Sequence, residues 1–188
     1  LFNVAITKDR KIAGVYCGDL DEAHLAGCSE VARSTLVEIQ KPFDLVITSG
    51  GGYPLDQTFY QTVKGMCSAM PALDQNSTLL MISHCGEGLG SKAYSDLMLR
   101  YQNDWQQFMN DIEQNSHETQ LDQWEFQMQA RVLRLIGTKQ LWFASEGISN
   151  QLHNKICVNP VPGVNAIHMR VQKVIDQYVT CNPHCRIA

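Results

Sequence analysis

Polar and apolar residues alternate over Phe2-Asn3-Val4-Ala5-Ile6. After the polar turn Lys8-Asp9-Arg10-Lys11, apolar residues return at Ile12-Ala13-Gly14-Val15-Tyr16, a pattern that predicts a hairpin. From about Leu20 to Ser34, Ala23, Ala26 and Val31 make a small apolar face. Asp19 precedes this segment and Asp21 and Glu22 fall in its first turn, as a helix dipole prefers. Thr35 to Ile39 reads as a short strand. Phe43-Asp44-Leu45-Val46-Ile47-Thr48 is the strongest strand, and its apolar residues on both faces predict a central position in a parallel sheet. A helix is expected from near Asp56 to Ala69, followed by a buried strand over Thr78–Ser83. Leu141–Ala144 and Ile156–Val158 are two further strands. A closing helix from Ala166 to Tyr178 carries Ile167, Val171, Val174, Ile175 and Tyr178 at helical spacing.

Residues 91–136 break this rhythm. Eight glutamines fall between 101 and 130, with Trp105, Phe108 and Ile112 spaced as one helix face and a second helix from about Asp122 to Ile136. The segment reads as a helical insertion. Strands alternating with helices predict an α/β fold: a three-layer, mostly parallel, Rossmann-like sheet with helices on both faces. In such folds the loops that end the strands line one edge, where ligands bind.

Composition narrows the class. A chain of 188 residues has the size of one domain, expected over 1–180 with a tail at 181–188. No run of about 18 apolar residues predicts a membrane span, and a formal net charge of −4 argues against a nucleic-acid module. Seven cysteines, an odd number set mostly in apolar segments, fit free thiols in the cytoplasm better than a disulfide framework. Cys181, His184 and Cys185 lack a second well-spaced ligand pair, so no metal site is expected there, and the tail is read as frayed. The opening Leu1-Phe2-Asn3-Val4 has neither methionine nor a signal-peptide pattern, and reads as the start of a fragment.

Candidate chemistry gathers after the first two parallel strands. Ser49-Gly50-Gly51-Gly52-Tyr53-Pro54-Leu55-Asp56 allows positive φ and close backbone approach, and the helix start after it can face an anion. It also reads as a tight turn capped by Asp56. It is no P-loop, because the Gly-Lys-Ser/Thr ending is missing. Tyr60, Gln61 and Lys64 share one helix face and can bind a carboxylate, or can form a solvated face. His84-Cys85-Gly86-Glu87-Gly88-Leu89-Gly90 fails the dinucleotide fingerprint, since position 91 is serine. Trp124, in the first turn of its helix behind Asp122 as a cap, can wall a pocket or fill a core.

Ile47 to Asp56 together with Tyr60-Gln61-Thr62-Val63-Lys64-Gly65 resemble the C-terminal domain of the nickel-dependent lactate racemases. Supporting matches are Val15-Tyr16-Cys17-Gly18-Asp19, Gly88-Leu89-Gly90 and Asp122-Gln123-Trp124-Glu125-Phe126-Gln127 with Ala130-Arg131, so the likeness covers roughly residues 2–175. The resemblance implies an isomerase that moves a hydride off and onto the α-carbon of a 2-hydroxy acid. The acceptor is a nickel-pincer nucleotide held by a separate N-terminal domain, which carries the tethering lysine and paired histidines. It implies that Lys64 and Gln61 are catalytic and that Tyr60, Trp124, Gly51, Gly52 and Tyr53 face substrate or cofactor. This chain would be one wall of the cleft, binding no cofactor alone and inactive alone. Its partners would be its own N-terminal domain and a small 2-hydroxy acid, with neither nucleic acid nor membrane. The competing readings are a nucleotide- or acyl-binding α/β module and a non-catalytic homologue.

Overall fold

The computed structural model describes residues 1–188. The backbone forms two compact units, residues 1–40 and 41–188. The first unit is the expected hairpin and helix. β1 (Phe2–Ile6) and β2 (Ile12–Cys17) are antiparallel, with Phe2 opposite Cys17 and Val4 opposite Val15. α1 (Leu20–Thr35) begins after Asp19, whose carboxylate accepts from the N–H groups of Asp21 and Glu22. Gly27 lets the helix lie on the hairpin, since a β-carbon there would stand 3.1 Å from the Tyr16 ring. The strand expected over Thr35–Ile39 does not form. Thr35 ends α1, residues 36–39 are irregular, and no strand pairs with them to offset the entropy of extending them.

The second unit is a four-stranded parallel sheet in the order β3 (Leu45–Ser49), β4 (Thr78–Ile82), β5 (Leu141–Ala144), β6 (Asn159–Pro160). The two-residue period of a strand sends alternate side chains to opposite faces. Val46, Leu79, Met81, Leu141 and Phe143 join one core, and Leu45, Leu80 and Ala144 join the other. The first core is roofed by α2 (Phe59–Ala69), which links β3 to β4, and by α3 (Lys92–Tyr101), α4 (Trp105–Gln114) and α5 (Gln123–Ile136), which link β4 to β5. A short α6 (Asn150–His153) connects β5 to β6. α7 (Ile167–Cys181) covers the other core with Ile167, Val171, Val174, Ile175 and Tyr178, the residues whose spacing predicts that face. The three-layer α/β architecture therefore stands.

Three local expectations change. β3 is last in the strand order, not central; its double-sided burial comes from helices above and below. Its outer edge is paired by residues 186–188, where the Ile47 N–H donates to the Ala188 carbonyl at 2.8 Å and the Ala188 N–H to Leu45 at 3.1 Å. The end of the chain is thus not a frayed tail. Arg186 fixes it further, donating to the carbonyls of Lys41 and Pro42 and standing 4.7 Å from the Phe43 ring. Finally, Ile156–Val158 is buried but forms no strand. Cys157 has φ 57°, outside the extended region, and pairing starts only at Asn159.

The segment 91–136 is helical, as expected, and lies between β4 and β5; within it α5 packs on α2. α3 and α4 are held against α5 by a ring cluster in which Phe108 stacks on Phe126 at 4.1 Å and Tyr101 meets Phe108 edge-on at 5.3 Å. α2 in turn lies directly on the sheet because of Gly65. A β-carbon there would sit 2.7 Å from the Ser49 carbonyl oxygen and 2.9 Å from the Met81 methyl. Gly65→Ala gains up to ~1 kcal/mol of helix propensity, but overpacking against backbone costs about 1–3 kcal/mol. The steric term wins, so thermal denaturation should show a lower Tm for the variant; an unchanged or higher Tm would refute this contact.

Candidate functional site

Two loops leave the carboxyl ends of β3 and β4 and are bound to each other before they reach α2. In the first, Gly51 and Gly52 take positive φ (90° and 74°), and the N–H groups of Leu55 and Asp56 return to the Gly52 carbonyl. Gly50 has no room for a side chain, because a β-carbon there would come within 2.8 Å of Asp56 and of the Ser83 hydroxyl. Asp56 does not cap the helix. Its carboxylate accepts from the His84 N–H and the Gln57 amide, and its carbonyl accepts from the Cys85 N–H, so it staples one loop to the other. The cap is Thr58, whose hydroxyl accepts from the Gln61 N–H, and α2 accordingly starts at Phe59.

This stapling disposes of the anion cradle expected at the start of α2. The Phe59 N–H donates to the Gly88 carbonyl (2.9 Å), the Tyr60 N–H to Leu89 (3.0 Å) and the Thr62 N–H to Thr58 (3.2 Å). With Gln61 satisfied by Thr58, every donor of the first turn is used inside the domain. The second loop likewise separates its candidate ligands: His84 and Glu87 are exposed, while Cys85 is buried beside Thr62 and Ser83, and burial raises its thiol pKa.

The side chains of α2 do converge. Tyr60, Gln61 and Lys64 lie together, with the Lys64 ammonium donating to the Gln61 amide oxygen at 2.7 Å and standing 5.7 Å from the Tyr60 ring centroid. Trp124 comes from the start of α5 and meets Tyr60 edge-on at 5.7 Å; Tyr94 of α3 does the same from another side at 5.2 Å. Trp124 is 48% exposed, so it walls a surface rather than filling the core. Gly51, Gly52 and Tyr53 sit on the preceding loop, and Tyr53 points outward, 86% exposed, with no aromatic pairing to this cluster. Asp122 occupies the cap position of α5 with φ 63° but does not cap it; its carboxylate takes a hydrogen bond from the Ser91 hydroxyl, tying Trp124's helix to the loop after β4.

Next to Trp124 on α5 stands Glu125, which is not among the residues the sequence marks as candidates. It is fully buried and neither carboxylate oxygen has a hydrogen-bond partner. Burial raises its pKa to about 7, with the Lys64 charge opposing and the Asp122 charge adding to the rise. The signal for it was present: Glu125, Gln129, Val132 and Ile136 follow helical spacing along the buried stripe of α5. The hydroxyl of Tyr94, also buried, has no partner either. Against Phe143 of β5, His153 is buried with both ring nitrogens unpaired, and burial, then the Arg170 charge, lowers its pKa.

The parallel sheet flanked by helices defines a three-layer, Rossmann-like α/β domain, with an aromatic and lysine-bearing patch at the starts of α2 and α5. The chain belongs to the lactate racemase C-terminal domain family, whose model matches residues 38–180. Over 134 residues it is 39% identical to a lactate racemase of Thermoanaerobacterium thermosaccharolyticum and 34% identical to one of Lactiplantibacillus plantarum. Each match covers 71% of this chain and 31% of the relative. The solved lactate racemase apoprotein from T. thermosaccharolyticum superposes with a TM-score of 0.81 at 31% identity, covering 99% of this chain and 42% of that one. The chain thus spans less than half the length of these relatives. No helix is long and apolar enough to cross a membrane.

Proposed function

We propose that this domain forms one wall of the active-site cleft in a nickel-pincer-dependent 2-hydroxy-acid racemase, with lactate or a close analogue as substrate. The observation that carries the reading is the convergence of Tyr60, Gln61 and Lys64 with Trp124 in a chain of this family. When bound, the nickel-pincer nucleotide supplies the hydride acceptor, and an N-terminal partner domain holds it. The residues here suit the opposing wall: a cation, an amide and two aromatic rings, with no cluster of metal-ligating side chains.

Lys64 binds the substrate carboxylate. At about 4 Å and an effective dielectric near 20, such a pair attracts by about 4 kcal/mol. Gln61, already bonded to Lys64, turns its amide N–H donors toward the hydroxyl or carboxylate oxygen and keeps the ammonium in one place. Tyr60 and Trp124 present ring edges and faces that exclude water from the α-carbon as it flattens. Exposure of Lys64 and Trp124 in this domain supports closure by a partner. A cytoplasmic setting is supported by seven free cysteines.

The test is chiral chromatography of the full-length, cofactor-loaded protein with L-lactate and a series of 2-hydroxy acids. Formation of the opposite enantiomer from one of them is expected, with none from residues 1–188 alone. No racemisation of any 2-hydroxy acid, or activity in the isolated domain, would overturn the proposal.

A further inference from the structure

We infer that Glu125 is a positioning residue for Lys64, a buried carboxyl that takes up a proton when a substrate anion binds and gives it up when the anion leaves. The inference rests on the functional reading above, in that Lys64 is taken to receive the carboxylate.

The geometry behind it is a pair of unpartnered polar groups beside the exposed patch. α2, α3 and α5 pack together here, and Tyr60 of α2 touches Tyr94 and Trp124 at its edges. Tyr94 is itself in this contact and Glu125 is the chain neighbour of Trp124; the Glu125 carboxylate and the Tyr94 hydroxyl are both buried and both lack a hydrogen-bond partner. A buried, fully unpaired carboxylate is costly, and structural roles are normally satisfied by partners. Lys64 does not pay that cost by pairing with it, because its ammonium is held by Gln61. Glu125 follows Trp124, whose ring meets Tyr60 one turn before Lys64 on α2, and it makes no bond to the ammonium, an arrangement that can respond when the charge at Lys64 changes.

The titratable groups whose charge couples to that of Glu125 are Lys64, Tyr60 and Cys67 on α2, Tyr94 on α3 and Asp122 just before α5. Burial raises the pKa of both tyrosines and lifts the Cys67 thiol to about 11, so none of these three titrates near neutrality. Glu125, at about 7, does. A second carboxylate arriving at Lys64 neutralises the cation that opposes this rise and adds a like charge. Both effects favour the protonated carboxyl. The balance is simple: one lactate anion and a fraction of one proton enter together, and the proton comes from buffer. Binding must then weaken as pH rises above about 7, because the proton has to be drawn from an ever scarcer supply.

The sign for stability is separate and needs no ligand. The folded pKa lies above the ordinary value of 4.5, so its charge costs nothing below that pH, and the destabilisation accrues as pH rises from 4.5 through about 7. Glu125→Gln removes the charge at nearly the same shape, and Glu125→Asp keeps it.

The experiment is calorimetric titration of full-length, cofactor-loaded protein with an equimolar mixture of both lactate enantiomers, which gives no net heat of reaction. Buffers of different ionisation enthalpy report the protons taken up. Wild type should bind roughly half a proton per lactate near pH 7.5, with Kd rising about fivefold or more from pH 6.5 to 8.5. Glu125→Gln should take up none and change Kd less than about twofold over that range, while Glu125→Asp restores the dependence. Melting of the same samples without lactate should show Glu125→Gln gaining on wild type from pH 5 to 8. Lactate binding with equal proton uptake in wild type and Glu125→Gln overturns the role of Glu125 and leaves the racemase reading standing. No lactate binding at any pH overturns both.

Discussion

Replacing Lys64 with alanine in the full-length, cofactor-loaded protein should lower kcat/KM for lactate by roughly 10²–10³-fold while the melting temperature stays within about a degree. Two magnitudes set these bounds. Truncating one partner of a desolvated, hydrogen-bonded charge pair costs about 2–5 kcal/mol, and each 1.4 kcal/mol is about tenfold in rate. Against this, Lys64 is exposed, makes only the side-chain bond to Gln61 and lies outside both cores, so its loss falls among surface substitutions worth about ±0.5 kcal/mol. The loss should appear mainly as a higher KM, because the ammonium acts on a charge present in ground and transition states alike. Lys64→Arg keeps the charge but loses the compact single-point geometry beside Gln61, and it should recover only part of the loss. Wild-type kcat/KM in Lys64→Ala would remove Lys64 from the site.

The largest effect on stability should come from Phe126→Ala. The Phe126 ring is fully buried, stacks on Phe108 and leans on Tyr101, so it is what binds α4 and the end of α3 to α5. A Phe-to-Ala change in such a site costs about 3–5 kcal/mol, from lost transfer energy and the cavity left behind. For a unit of this size, thermal denaturation should then show Tm lower by about 6–20 °C. The helices nearest the cavity should open first, with amide exchange in α4 accelerating more than in β4, which lies in the middle of the sheet. Uniform acceleration across α4 and β4 would mean that the ring cluster is inseparable from the sheet core. Because Phe126 follows Trp124 and Glu125 on the same helix, its removal also tests how far the patch depends on the cluster beneath it.

Much of the domain was legible in the residues. The apolar runs at 45–48 and 78–82 are strands because helices cover both faces, and the spacing of Ile167, Val171, Val174 and Ile175 marks the face of α7 that does the covering. The shared face of Tyr60, Gln61 and Lys64 follows from the helix turn alone. What misled was local chemistry with more than one outlet. Asp56 and Asp122 both look like caps by residue type, yet each carboxylate finds a partner on another loop, His84 in one case and Ser91 in the other. The triple glycine suggested an anion cradle, but its helix start is closed by the carbonyls of Gly88 and Leu89, which approach from a loop some thirty residues away.

By itself, then, the sequence determined most element types, the strands expected over Thr35–Ile39 and Ile156–Val158 apart, together with the α/β class and the line of candidate side chains along α2, since each depends on periodicity within one segment. Only the tertiary structure decided that β3 lies beside residues 186–188 and not mid-sheet, that α5 packs on α2, and that Glu125 is buried and unpaired. Pairing order and burial depend on which segments meet, and a buried carboxylate acquires its character from neighbours on three helices that are far apart in the chain.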